Sequence, residues 1–188
     1  YTDALVMGGN TGSQTGATEF WNGSSWTEIA DLSTARERGA RAGSSSAALV
    51  AGGTTPPYTN VTEEFTAASS LSKINLGQVY FNSTANAFKV TEQPVPGGTW
   101  ASGGALNTAR YAAAGSFGLQ TASILAGGAG GSSSVEQYDG TSWTEIAELN
   151  TARHSGAGFG TTTAGIVVGG EPATPGNFAN VESWNGSA

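Results

Sequence analysis

The chain of 188 residues has a net charge of -7 and only 11% charged residues, so it lacks the basic stripe that nucleic acid or an anionic membrane surface would select. It has no cysteine, which excludes disulfides and cysteine-ligated metal. No apolar run approaches the roughly 18 residues of a membrane span, and the aromatic content argues against disorder.

In chain order, one pattern returns. An apolar run closes on a glycine pair at Ala4–Gly9, Ala48–Gly53, Ser123–Gly128 and Gly165–Gly170. A Glu-x-aromatic triplet follows at Glu19/Trp21, Glu63/Phe65, Glu136/Tyr138 and Glu182/Trp184. A turn then leads to a tryptophan phrase. Trp26-Thr27-Glu28-Ile29-Ala30-Asp31-Leu32-Ser33-Thr34-Ala35-Arg36 recurs almost unchanged as Trp143 to Arg153 and loosely as Trp100 to Arg110. Equivalent residues stand roughly 40–45 positions apart, the period of a four-stranded unit, with about thirty extra residues in the second unit.

These segments predict strands. The apolar runs are short, partly β-branched and bounded by glycine, and no stretch sustains the 3.6-residue periodicity of a helix. Asn22-Gly23 and Asp139-Gly140 lie between aromatic residues and predict tight hairpins, because these residues accept positive φ at low cost. A glycine pair at a strand end predicts close approach of backbones where units converge.

Residues 69–98 interrupt the second unit and divide the chain into repeat units over 1–68, an insertion, and repeat units over 99–188. Within the insertion, residues 78–90 predict a β-hairpin whose Tyr80, Phe81, Phe88 and Lys89 are candidates for assembly or binding contacts. The chain opens inside one unit and stops inside another, as a window on a longer protein or a product trimmed at both ends would.

The glycine pair, the Glu-x-aromatic triplet, the following tryptophan and the Ala-Arg phrase, in that order, resemble kelch repeats. The resemblance implies an all-β fold, a kelch-like β-propeller of four-stranded blades, with about four blades covered here and some of them partial. It also implies that Arg36, Arg110 and Arg153 stand where kelch domains of signalling type expose an arginine to acidic ligands at a channel mouth. The other reading of the same residues is pairing with scaffold carboxylates or carbonyls. Residues 77–90, with the low charge and the Ala-, Gly-, Ser- and Thr-rich repeats, are similar to virion proteins of bacteriophages.

No catalytic centre is expected. His154, the one histidine, has Glu37 and Tyr111 as its counterparts in other units, so the repeat does not require it. No metal site or cofactor is expected either. The expectation is a non-enzymatic structural or adhesion module of an extracellular virion, of tail or fibre type. Its partners would be other virion proteins and a host surface glycan or protein, without nucleic acid or membrane insertion, and it would form a homo-oligomer. The alternatives are a secreted carbohydrate-active or glycan-binding propeller, which would bring carboxylates together at about 5–9.5 Å, and a capsid decoration protein.

Overall fold

The structure, a computed structural model, describes residues 3–68, 79–84, 86–90 and 97–187, and no helix occurs among them. The fold is all-β. Four small antiparallel sheets follow one another along the chain. The first holds β1 (Ala4–Asn10), β2 (Gln14–Trp21) and β3 (Trp26–Glu28). The second holds β4 (Ala40–Gly43), β5 (Ala47–Ala51), β6 (Thr62–Ala67) and, beyond the insertion, β9 (Gly98–Gly103). The insertion contributes a separate hairpin of β7 (Val79–Asn82) and β8 (Ala87–Val90). The third sheet holds β10 (Gly115–Leu119), β11 (Ala122–Gly128), β12 (Ser132–Tyr138) and β13 (Trp143–Glu148). The fourth holds β14 (Ala157–Thr161), β15 (Ala164–Val168) and β16 (Val181–Trp184).

The strand order within each sheet is the chain order, so each unit is a meander; its apolar run is a central strand in the second, third and fourth sheets and the edge strand β1 in the first. That position explains the composition of the runs. In β5, Ala48 and Val50 join Met7, Leu32 and Phe65 between the first and second sheets. Leu49 and Ala51 point the other way and join Leu125, Tyr138 and Trp143 between the second and third. A strand buried on both faces reads as a continuous apolar stretch rather than an alternating one. The third–fourth seam repeats the arrangement with Phe117, Ile124, Ala126, Val135 and Val167.

Side chains make the predicted turns. Asn22 Oδ1 accepts the Ser24 and Ser25 N–H groups at 2.9 Å each, and Asp139 Oδ1 accepts those of Thr141 and Ser142 at 2.8 Å each. These are local side-chain-to-backbone bonds that fix a turn before any tertiary contact forms. Each turn brings the tryptophan back opposite an aromatic residue: Trp21 faces Trp26, Phe65 faces Trp100, and Tyr138 faces Trp143.

The glycine pairs sit where predicted, at the ends of the apolar strands. The second glycine of the first three pairs donates its N–H to the carbonyl of an arginine in the next phrase: Gly9 to Arg36 at 2.9 Å, Gly53 to Arg110 at 2.9 Å, and Gly128 to Arg153 at 3.0 Å. The first glycine lies directly beneath that carbonyl. A Cβ on Gly8, at φ +56, would stand 2.6 Å from the Arg36 carbonyl oxygen. Both sterics and backbone conformation therefore demand glycine.

Candidate functional site: the arginine seams, an adjoining cleft and the insertion hairpin

Each phrase delivers its arginine into the following sheet. The Arg36 guanidinium meets the Glu63 carboxylate at 2.5 Å, and both side chains are 1% exposed. It also donates to the carbonyls of Thr34 at 3.2 Å, Gly52 at 3.2 Å and Val61 at 2.8 Å. Arg110 pairs with Glu136 and donates to the carbonyls of Gly127 and Ser134. Arg153 meets Glu182 at 2.6 Å, donates to the carbonyls of Gly169 and Asn180, and lies over the Phe178 ring with 4.9 Å to its centroid.

The glutamates are equally engaged. Glu63 accepts the Ser33 N–H and hydroxyl at 2.7 Å each, and Glu182 accepts the Asn150 N–H at 2.6 Å. The arginine backbone thus sits on the glycine pair of one sheet while its side chain sits on the glycine pair and glutamate of the next. It is a staple across the seam. Burial lowers the pKa of Arg36, with Glu63 acting in the opposite direction; the group remains a cation, since arginine is not deprotonated in proteins.

This geometry corrects the expectation of ligand-facing arginines. Arg36, Arg110 and Arg153 are buried and their donors are taken by scaffold carboxylates and carbonyls, in line with the other reading of these residues. Glu19, the fourth member of the glutamate series, is exposed and has no such partner among the described residues.

Two residues beyond each arginine the backbone turns left-handed without glycine: Arg38 at φ 57, Ala112 at φ 49 and Ser155 at φ 54. These residues link successive sheets, the Ala112 N–H donating to the Arg38 carbonyl and the Ser155 N–H to the Ala112 carbonyl, each at 3.0 Å. Non-glycine residues held in this region store local strain that surrounding structure must hold in place. Nothing in the residue types announced it.

Beside this line lies an open cleft of about 610 Å³, lined among others by Arg38, Tyr111, Ser116, His154 and Glu171. Tyr111 stacks on the exposed Tyr58 at 4.5 Å between centroids and 28° between planes. The neighbouring Tyr111 hydroxyl raises the Tyr58 pKa. His154 exchanges backbone hydrogen bonds with Glu171, while its Nδ1 lies 3.0 Å from the Ser155 hydroxyl. His154 is therefore a half-buried residue of the cleft rather than an isolated surface one. Among the described residues no group of three or more His, Asp or Glu side chains could hold a metal ion.

The insertion folds as predicted into an antiparallel hairpin, with Phe81 opposite Phe88 and Tyr80 opposite Lys89. The two phenyl rings meet edge-on at 5.4 Å and 68°, and they remain 52% and 75% exposed. Val79 beside them is exposed as well. Tyr80 and Lys89 occupy the two strands, and their side chains lie outside the described set, as does Lys73.

A second interlock was not foreseen. The Tyr138 hydroxyl donates to Glu64 at 2.5 Å, and the Trp143 indole N–H donates to the Thr62 hydroxyl at 2.9 Å, both across the second–third seam. Their polar ends also find partners, as buried tyrosine and tryptophan generally do.

No family model matches the chain, and no curated protein matches it in sequence. A solved structure does match: that of YjhT superposes with a TM-score of 0.63 at 12% identity, over 88% of this chain and 48% of that one. At that identity the likeness is one of fold alone. The chain is similar to a β-propeller-like fold and spans about half the length of that structure.

Proposed function

We propose that the chain is a non-enzymatic adhesion or structural module of a virion, of tail or fibre type, and that its four sheets are blades of a kelch-like β-propeller. The successive staples support the propeller reading. Each arginine passes from one sheet to the next in the same direction, as in a stack of like blades, and the fold resembles that of YjhT. One observation carries the adhesion reading. The hairpin inserted into the second unit presents Val79, Phe81 and Phe88 to solvent on a two-stranded sheet of its own, although the repeats expose Trp26, Leu119, Phe159, Ile166 and Val181 as well. Exposed aromatic groups on a loop held by a rigid framework are a common form of interaction surface. Weak contacts of this kind gain strength through oligomeric display, because the second binding event becomes intramolecular.

The test is retention of labelled protein on a panel of intact bacterial cells. The wild-type protein is retained on at least one host, and Phe81→Ser/Phe88→Ser reduces retention at least tenfold with an unchanged melting temperature. Equal retention of the double variant overturns the role of the hairpin. A wild-type protein retained on no cell overturns the adhesion reading.

A glycan-binding module is the second reading, favoured by the cleft bearing Arg38, Tyr111, His154 and Glu171. A glycan array separates the two, since binding there would be lost on changing Tyr111 and kept on changing Phe81.

A further inference from the structure

We infer that Tyr58 and Tyr111 are a modification site: under one-electron oxidation their rings couple to intramolecular dityrosine, a covalent clasp that ties the second sheet to the third. The inference is independent of the adhesion reading.

The two residues come from different units. Tyr58 lies in the connection between β5 and β6, and Tyr111 in the segment that leads from β9 to β10. Their rings stack at 4.5 Å between centroids and 28° between planes. One hydrogen bond brings the two segments together, the Gly53 N–H donating to the Arg110 carbonyl at 2.9 Å. On one side of it Tyr58 is bridged to Thr54, and the Thr59 N–H returns to the Gly53 carbonyl at 3.0 Å. On the other side the Tyr111 carbonyl accepts the Ala129 N–H at 2.9 Å. Both backbones are therefore fixed, and the meeting of the rings requires no further ordering of the chain.

Access and chemistry agree with this placement. Tyr58 is 55% exposed, so an oxidant in solution reaches it, and an exposed side chain turns on the nanosecond scale or faster. Tyr138, by contrast, is 1% exposed and shut inside the second–third seam. Each phenol gives up one electron and one proton to a peroxide-derived oxidant. The ring carbons ortho to the two oxygens then bond, and the hydrogens on those carbons move to the oxygens and restore both phenols. The peroxide takes the two electrons and two protons and leaves as two waters. A partner already in contact reacts at an effective concentration far above that of any second chain in solution. The places that correspond to Tyr111 hold Glu37 and His154, so the repeat does not call for tyrosine there and the pair is particular to this seam.

The test treats the dilute full chain with a haem peroxidase and hydrogen peroxide. The expected product fluoresces as dityrosine, runs as a single chain on a denaturing gel and is lighter by two hydrogens. Its tryptic map joins the peptide that carries Tyr58 to the one that begins at Tyr111. Tyr58→Phe, at an exposed position that leaves the fold intact, reduces the dityrosine signal at least tenfold, and so does Tyr111→Phe, whereas Tyr80→Phe keeps it. The linked protein melts above Tyr58→Phe treated in the same way, because a cross-link restricts the unfolded chain. No dityrosine, a link through Tyr80 or between chains, or an equal signal from Tyr58→Phe would overturn the site. Equal melting temperatures of linked protein and treated variant would overturn the clasp.

Discussion

Replacing Arg36 by methionine tests the staple most directly. The substitution keeps much of the aliphatic stem and removes one ion pair at 2.5 Å together with donations to the Thr34, Gly52 and Val61 carbonyls. It also strands Glu63, whose side chain is 1% exposed, as a buried charge. Removing one partner of a buried pair costs about 3–5 kcal/mol, mostly through the charge left behind. For a chain of this size that is roughly 6–20 °C in melting temperature. Adding Glu63→Gln neutralises the stranded carboxylate and leaves an amide oxygen to accept the Ser33 N–H. The double variant is then more stable than Arg36→Met alone by at least about 1 kcal/mol, the non-additivity expected of residues in one network. Urea denaturation at neutral pH reads both quantities. A cost below about 1 kcal/mol, the value of an exposed ion pair, would refute the argument, as would a second substitution that restores nothing.

Gly53→Val costs far more stability than Gly97→Val: a Cβ on Gly53, at φ +105, stands 2.8 Å from the Glu37 carbonyl, whereas one on Gly97 meets nothing within 4 Å; equal melting temperatures would remove the crowding argument. Arg153→Ala lowers stability by about 1–3 kcal/mol, less than loss of Arg36, because Glu182 is 10% exposed and water relieves its charge; cell retention falls only as far as unfolding explains, and a variant that melts normally yet no longer binds would restore the ligand reading of the arginines. Burial and then the hydrogen bond to Glu64 push the Tyr138 phenol up to about 12. Because the folded value lies above the unfolded one of about 10, the stabilisation is whole below about pH 10 and is lost as pH rises toward about 12; denaturation curves across that window show the loss in the wild type and its reduction in Tyr138→Phe.

The strands were legible because three independent signals agreed: apolar runs closed by glycine, Asn-Gly and Asp-Gly turns, and aromatic residues on either side of each turn. The insertion hairpin was legible from a different signal, two β-rich runs on either side of a polar turn within residues 78–90. The fate of the arginines was not, since a repeated arginine is compatible with a ligand or with a scaffold partner. The signal that separates the two was nevertheless present. Arg36 and Glu63, Arg110 and Glu136, and Arg153 and Glu182 stand 27, 26 and 29 residues apart, so arginine and glutamate recur together at nearly constant separation. The glycine pairs were read correctly as points of close approach, but what approaches is the carbonyl of the stapling arginine. The left-handed residues Arg38, Ala112 and Ser155 could not be read at all, because their conformation is imposed by hydrogen bonds between sheets and not by residue type.

The staple also determines where binding chemistry can lie. Of seven basic residues, Arg36, Arg110 and Arg153 are spent inside seams. The Arg41 guanidinium donates to the Met7 carbonyl at 2.8 Å, bridging the first and second sheets. Arg38 is exposed and lies at the cleft. A scaffold that consumes its cations internally has little positive charge to offer a ligand. Its outward surface carries serine, threonine, backbone groups, carboxylates such as Glu19, Glu28, Asp31, Glu145 and Glu148, and aromatic faces that include Tyr58 on Tyr111 beside the cleft and Phe81 against Phe88 on the hairpin. Recognition of an anionic ligand by such a surface rests on stacking and neutral hydrogen bonds, which salt screens weakly, and not on long-range attraction, which it screens within about 10 Å. Loops and the inserted hairpin can therefore vary their partners while the arginine seams, the glycine pairs and the tryptophan strands hold the same frame.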